Sequence, residues 1–366
     1  MTSDFEYVDD TTQKTIARYI VSSGDIVLSI VGTIGLVSIV GDTLQNANLT
    51  ENCVKITDFN GVDRDYLYYY LKSARGQAEI AKGTVGAVQA KLPIKNIHDI
   101  SIDLPDLTVQ KKISNILASI DHKIAVNMEI NDNLQQQLSA IFRDWFIDAS
   151  ESAEWQHGTF ADLIDRTISG DWGKDAPTGN YTEMVYCIRG ADIPEVKAGN
   201  KGKMPTRFIL SKNYAAKKLV DGDIVIEISG GSPTQSTGRA APVSESFLGR
   251  YDRGMICTNF CKAIKPKQGY SMFVYHYWQY LYDAGVFFGY ENGTTGIKNL
   301  DINGFIDTEE IVIPPLEMVS RFDAVCQAIA NKVYANGLEN ERLANLRDKL
   351  LPRLMSGEVD VASIDI

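Results

Sequence analysis

With 366 residues the chain can form two or three domains, each with a core of its own. Hydrophobic residues make up 44% and charged residues 23%, no apolar run approaches the roughly 18 residues of a membrane-spanning helix, and the acidic start from Met1 to Asp10 is not expected to act as a secretory leader. A net charge of -11 excludes a uniformly basic nucleic-acid-binding surface, and five scattered cysteines (Cys53, Cys187, Cys257, Cys261, Cys326) argue for a reducing cytoplasm rather than a disulfide framework.

The first predicted element is a strand that starts at Ser23-Gly24-Asp25-Ile26-Val27, a turn leading into a β-branched run. An aromatic helix follows at Tyr66 to Leu71, then a polar loop at Gly83-Thr84-Val85-Gly86. A strand then ends at a proline in Ile102-Asp103-Leu104-Pro105-Asp106-Leu107, which suits the start of a helix. The same four elements return in order about 200 residues later. They are Asp221-Gly222-Asp223-Ile224-Val225, the aromatic run His276 to Leu281, Gly293-Thr294-Thr295-Gly296, and Ile311-Val312-Ile313-Pro314-Pro315-Leu316. That period is far longer than a solenoid repeat, so a whole domain-plus-helix unit is written twice.

After each proline comes a long helix with heptad spacing. The first seam reads Ile113, Leu117, Ile120, Ile124, Asn127, Asn131, Leu134, Leu138, Ile141, Trp145. The second reads Phe322, Cys326, Ile329, Val333, Asn336, Asn340, Leu343, Arg347, Leu350, Leu354 and aligns with the first without a gap. A seam of roughly 40 residues, about 60 Å long at 1.5 Å per residue, is longer than one small domain covers and calls for a coiled-coil partner. The chain supplies that partner, and the simplest pairing is antiparallel. Two ordinary amphipathic helices packed on their own domains are the alternative. Asparagines in the middle of each seam should cost stability while fixing register, so Asn127→Leu with Asn336→Leu is expected to stabilise the pair and loosen its register.

The order globular domain, long helix, globular domain, long helix resembles that of type I restriction-modification specificity subunits. GDIVLSIVGTIG at Gly24 to Gly35 is similar to the strand-turn of that family's target-recognition domains. The runs Ile141-Phe142-Arg143-Asp144-Trp145-Phe146 and Leu350-Leu351-Pro352-Arg353-Leu354-Met355-Ser356-Gly357 resemble the ends of its central and distal helices. The resemblance implies an α+β fold with two target-recognition domains separated by a long antiparallel two-helix coiled coil, in a pseudo-two-fold internal repeat. The expected divisions are an incomplete first recognition domain at 1–107, a central spacer helix at 108–148, a second recognition domain at 149–315, a distal spacer helix at 316–357 and a tail at 358–366. The first domain is expected to be N-terminally truncated, because about 23 residues precede Gly24 where about 70 separate the central helix from Gly222.

The resemblance implies a non-catalytic, cytoplasmic subunit without cofactors. It would read a bipartite site on double-stranded DNA, with the helix pair setting the spacing between halves. It would bind two methyltransferase subunits carrying adenine-N6 chemistry, with restriction subunits able to join. A scaffold that binds methyltransferase subunits without full sequence recognition is the alternative. From Cys187 to Tyr270 about 14 basic residues stand against about 7 acidic ones, whereas residues 1–100 hold about 9 against 12.

Reading DNA needs phosphate anchors and base-edge groups on well-held loops. Candidates in the second domain are Trp172 and Lys174 in a glycine-rich loop, Arg189 beside Asp192, and Ser232, Thr234, Gln235 and Arg239 in a polar loop. Arg250, Tyr251 and Arg253 form a basic-aromatic cluster, and Thr294 and Lys298 complete the set. In the first domain the matching loops give Ser29, Thr33, Gln45, Asn46, Asn48, Lys82, Thr84 and Lys91. Each has a plainer reading: loop residues connect, Asp192 orients Arg189, Trp172 anchors a core, and the tyrosines near Tyr66 and Tyr275 pack inside. Neither a phosphate loop nor an Asp/Asn-Pro-Pro-Tyr methyltransferase motif is present. Asp192, Glu195 and Lys197 are too closely spaced for a metal nuclease. Cys257 and Cys261 read as one face of a half-buried strand; zinc would need two further ligands.

Overall fold

The computed structural model describes residues 5–86, 88–150, 154–232, 234–293 and 297–361; Thr294 lies outside them. The chain divides into two units, residues 1–124 with 342–366, and residues 125–341. Both are α+β.

The first unit is built on a three-stranded antiparallel sheet in which Ile26–Ser29 lies between Val37–Ile39 and Cys53–Ile56. Strand alternation sends Ile26 and Leu28 inward, where both are fully buried. Two helices, Arg64–Lys72 and Ala74–Gly83, cover that face. Ser73 separates them: its hydroxyl donates to the Tyr70 carbonyl at 2.6 Å and accepts from the Gly76 amide at 3.2 Å. Tyr66, Tyr69 and Tyr70 are buried, and their hydroxyls reach the Asp103 carbonyl, the Asp121 carboxylate and the Ser101 carbonyl. They are therefore core residues with satisfied polar tips rather than stacking platforms.

The second unit carries a four-stranded antiparallel sheet in the order Ala240–Pro242, Ile224–Glu227, Cys261–Pro266, Ile164–Ser169. Beside it runs a three-stranded sheet of Met255–Cys257, Tyr181–Ile188 and Thr206–Leu210. Small sheets pair Glu291–Asn292, Lys298–Leu300 and Ser229–Gly230, and Glu310–Ile313 with Gln156–Thr159. The core is aromatic: Trp278 on helix Ser271–Asp283 packs with Phe160, Phe287 and Phe305, and Phe142 with Phe146, Phe273 and Phe322.

The internal repeat is present in the hydrogen bonds as well as in the sequence. Gly24 and Gly222 both have left-handed φ values, 89° and 85°, which glycine adopts without steric cost. Their amides donate to Val40 and Val243. One residue on, the Asp25 and Asp223 carboxylates each accept from a backbone amide three residues earlier, Ser22 and Val220, at 2.9 Å. The strands that follow occupy the same place between an incoming and an outgoing neighbour.

The long helices Leu107–Phe142 and Leu316–Met355 pair antiparallel within each unit. In the first, Ile113 and Leu117 pack with Leu354 and Met355, and Asp121 accepts from Arg347 at 2.6 Å. In the second, Leu138 and Phe142 pack with Phe322 and Cys326, and Asn127 donates to Asn340 at 2.9 Å. Ile120 is buried, and Ile124, Leu134, Ile329 and Leu343 are half-buried along the same stripes.

One strand expected from sequence is absent. Cys257 and Cys261 do not share a strand: Cys257 ends Met255–Cys257 and Cys261 begins Cys261–Pro266, in different sheets. A tight turn intervenes, closed by the Cys261 amide on the Thr258 carbonyl at 2.9 Å. The strands on either side are both largely buried, so two cysteines four residues apart read as one continuous strand.

Candidate nucleic-acid interface

Sheet topology decides which loops share an end. In the four-stranded sheet Glu227 lies opposite Cys261, Ile226 opposite Ala240, and Lys262 opposite Ser169. The segments leaving Ser169 and Glu227 and those entering Ala240 and Cys261 therefore emerge at one end. That end holds the polar loop with Ser232, Thr234 and Gln235, and the Thr258-Asn259-Phe260 turn. Strand Lys298–Leu300 joins it through Ser229–Gly230. In the first unit the corresponding end holds Thr33, with its carbonyl fixed by the Ser29 hydroxyl at 2.5 Å, and the Thr50-Glu51-Asn52 turn. Thr84 stands next to Val85, whose partner Lys91 bridges Val31 at this same end, while Lys82 is exposed near Glu79. Asn46 differs: its amide donates to Val21, beside the start of the sheet, so it faces the opposite end.

Electrostatics at the loop end of the second unit are organised by buried carboxylates. Glu227 accepts both arms of the Arg239 guanidinium at 2.7 Å, a fork-to-carboxylate pair that raises the Arg239 pKa. Glu291 binds the Lys298 ammonium at 2.7 Å and the Thr237 amide and hydroxyl at 2.6 and 3.0 Å. Burial opposes its ionisation, yet those bonds hold its carboxyl below the usual range. Lys298 also lies 4.9 Å from the Phe288 ring. Ser232, Thr234 and Gln235 bond chiefly among themselves, which leaves Thr234 and Gln235 exposed.

Several residues expected to meet DNA are engaged elsewhere. The Arg250 side chain is only 9% exposed and bonds the Gly199 carbonyl and Glu341. Tyr251 packs on Phe247 and Tyr186, with its hydroxyl on the Lys201 carbonyl. The basic-aromatic cluster therefore does not form: two members face inward, and Arg253, though exposed, precedes Met255 at the other end of its strand from the turn. Arg189 leaves the strand beside Thr258, but its guanidinium is held by Asp192 at 2.9 and 3.0 Å and by the Lys203 carbonyl. Trp172 is 40% exposed and stacked at 4.1 Å on Arg207, which also bonds the Trp172 carbonyl and Asp175. Lys174 pairs through its backbone with Phe208 and points along the Tyr181 ring. Arg207 and Phe260 were invisible to the sequence reading, because neither lies in a polar or glycine-rich run. Among the described residues no group of His, Cys, Asp and Glu side chains could hold a metal.

Comparison with known proteins converges on one family. The family model for the type I restriction modification DNA specificity domain matches residues 4–136. The MjaIX type I restriction enzyme specificity subunit of Methanocaldococcus jannaschii is 24% identical over 98% of this chain and 82% of its own length. The HindI specificity subunit of Haemophilus influenzae is 22% identical over 74% of this chain and 71% of its own. The type I restriction-modification S subunit of M. genitalium shares the fold, with a TM-score of 0.52 at 16% identity over 92% of this chain and 84% of that one. The chain is thus similar over most of its length to type I restriction-modification specificity subunits, and the family model matches its first third. No helix among the described residues is long and apolar enough to cross a membrane.

Proposed function

We propose that this chain is a non-catalytic type I restriction-modification specificity subunit that reads a bipartite double-stranded DNA site, with the loop end of each unit's sheet set against one half-site. It would present that DNA to two methyltransferase subunits, and restriction subunits could join the same assembly. The observation that carries this reading is the repeated sheet, which places equivalent loops at one end in both units. Direct readout needs side chains of different chemistry on rigidly held backbones, and these loops supply hydroxyl, amide, aromatic and ammonium groups. Five free cysteines suit a reducing cytoplasm.

Mapping N6-methylated adenine in cells with and without the chain tests the proposal. A split motif, with two defined halves at fixed spacing, is expected to vanish when the chain is deleted. Methylation that is unchanged by deletion would end the reading. Assembled complexes that bind every duplex alike at about 0.15 M salt would instead favour a scaffold without sequence recognition.

A further inference from the structure

The two loop ends share a turn. Thr50-Glu51-Asn52-Cys53 and Thr258-Asn259-Phe260-Cys261 are both Thr-x-x-Cys sequences. Each is closed by the cysteine amide on the threonine carbonyl, at 3.2 and 2.9 Å. Each presents the carbonyl of its third residue to the amide of the isoleucine that follows the neighbouring strand: Ile30 to Asn52 at 2.8 Å, and Ile228 to Phe260 at 2.9 Å. The carbonyls of those isoleucines accept in turn from Leu92 and Leu300, both at 2.9 Å. The backbone of this position is thus pinned identically in both units.

The side chains at the position differ and point outward. Phe260 is 55% exposed between Thr258 at 2% and a fully buried Cys261, and Asn52 is exposed. The turn's backbone hydrogen bonds hold this exposed ring at the loop end. The Gly170–Asp171 segment is pressed on the same turn, with the Asp171 amide on the Cys257 carbonyl at 2.9 Å. A Cβ on Gly170 would overlap the Thr258 carbonyl oxygen at 1.8 Å.

We infer that the third position of this turn is a base-reading position in both units, with Asn52 reading one half-site and Phe260 the other. This rests on the proposed function and names two of its specificity determinants. An asparagine amide can pair with adenine at N6 and N7, whereas a phenyl ring reads the thymine methyl or an open base step. Unlike side chains on matched backbones are what two different half-sites require.

The test uses the complex assembled with its methyltransferase subunits. Phe260→Ala is expected to relax one base-pair position in one half-site of the mapped methylation motif, and Asn52→Ala one position in the other. Each should weaken binding to the full site by about tenfold, the scale of one good base contact, while the slope of log affinity against log salt stays at the wild-type value. Thermal melting of Phe260→Leu and of both alanine variants should match wild type, because neither side chain is part of a core. If both alanine variants keep the wild-type motif and affinity, the inference is overturned and the proposed function stands. If wild type itself yields no motif, the proposed function falls and this inference with it.

Discussion

Asn336 donates from its side-chain amide to the Asn131 carbonyl oxygen at 2.8 Å, both side chains being buried between the two long helices. Asn131 passes its own amide protons to two backbone carbonyls, Val333 at 3.1 Å and Ala198 at 3.0 Å. Ala198 belongs to neither long helix; it lies in the loop after Ile193–Lys197. The polar layer therefore fastens the loop after Ile193–Lys197 to the helix pair of the second unit, beyond setting a register. That reverses the sign of the effect expected from heptads alone. Asn127→Leu with Asn336→Leu would strand the buried Asn340 and Asn131 side-chain acceptors. We expect a loss of about 1–3 kcal/mol for each buried group left unpaired, read as a lower denaturant midpoint. A midpoint above wild type would restore the simple coiled-coil account.

The same junction sets the second prediction. A Cβ on Gly337 would lie 1.9 Å from the Gly199 carbonyl oxygen, and Gly199 itself has φ +81°. Glycine inside a helix ordinarily costs about 0.5–1 kcal/mol relative to alanine, so Gly→Ala normally stabilises. At Gly337 the loop backbone would have to retreat, and Gly337→Ala should destabilise by about 1–3 kcal/mol. Differential scanning calorimetry of the full chain reads the sign directly.

His276 gives the pH dependence. Burial, and secondarily the nearby Lys197 charge, push its pKa down to about 3 from 6.5. Its ring sits against Phe142 and Phe322, and its Nε2 atom has no hydrogen-bond partner among the described residues. Between those two values the unfolded chain binds a proton that the folded one refuses. Stability therefore rises with pH across this window and is lost as pH falls below about 6.5, by at most about 1.4 kcal/mol per pH unit from this group. His276→Phe should flatten that slope in urea titrations at pH 6.5 to 4. An unchanged slope would place the acid sensitivity elsewhere.

The repeat, the pairing of the long helices and the aromatic cores were legible because each rests on periodicity or on ordered anchors such as Gly24 and Gly222. The loops were less so. Arg250 reads as a phosphate anchor by composition, yet its guanidinium is consumed by Gly199 and Glu341, contacts about 51 and 91 residues away in sequence. Arg239 is likewise spent on Glu227, which lies on the adjacent strand. Phe260 was missed for the opposite reason. A single phenylalanine before a cysteine reads as strand, and only the turn geometry turns it outward. The Thr-x-x-Cys match was visible in the sequence but gains meaning from the shared hydrogen bonds.

Lys298 and Gln235 separate charge from readout at the loop end of the second unit. Lys298 is neutralised by Glu291 at 2.7 Å. Lys298→Ala removes an ammonium and leaves a buried carboxylate facing the loops, so binding should weaken for all duplexes alike, while the salt slope stays near wild type because Lys298 is paired with Glu291 and not with a phosphate. Glu291→Gln should do the reverse, releasing Lys298 toward phosphate and tightening sequence-blind binding at low salt. Gln235 is uncharged and exposed, with its backbone amide on the Ser232 hydroxyl at 3.0 Å. Gln235→Ala is expected to cost about 1–3 kcal/mol on the full site, nothing on unrelated DNA, and to leave the salt slope alone. Titrations of the assembled complex across about 0.05–0.2 M salt distinguish the three variants. A Gln235→Ala loss that appears equally on unrelated DNA would assign the polar loop to the phosphate backbone instead of the bases.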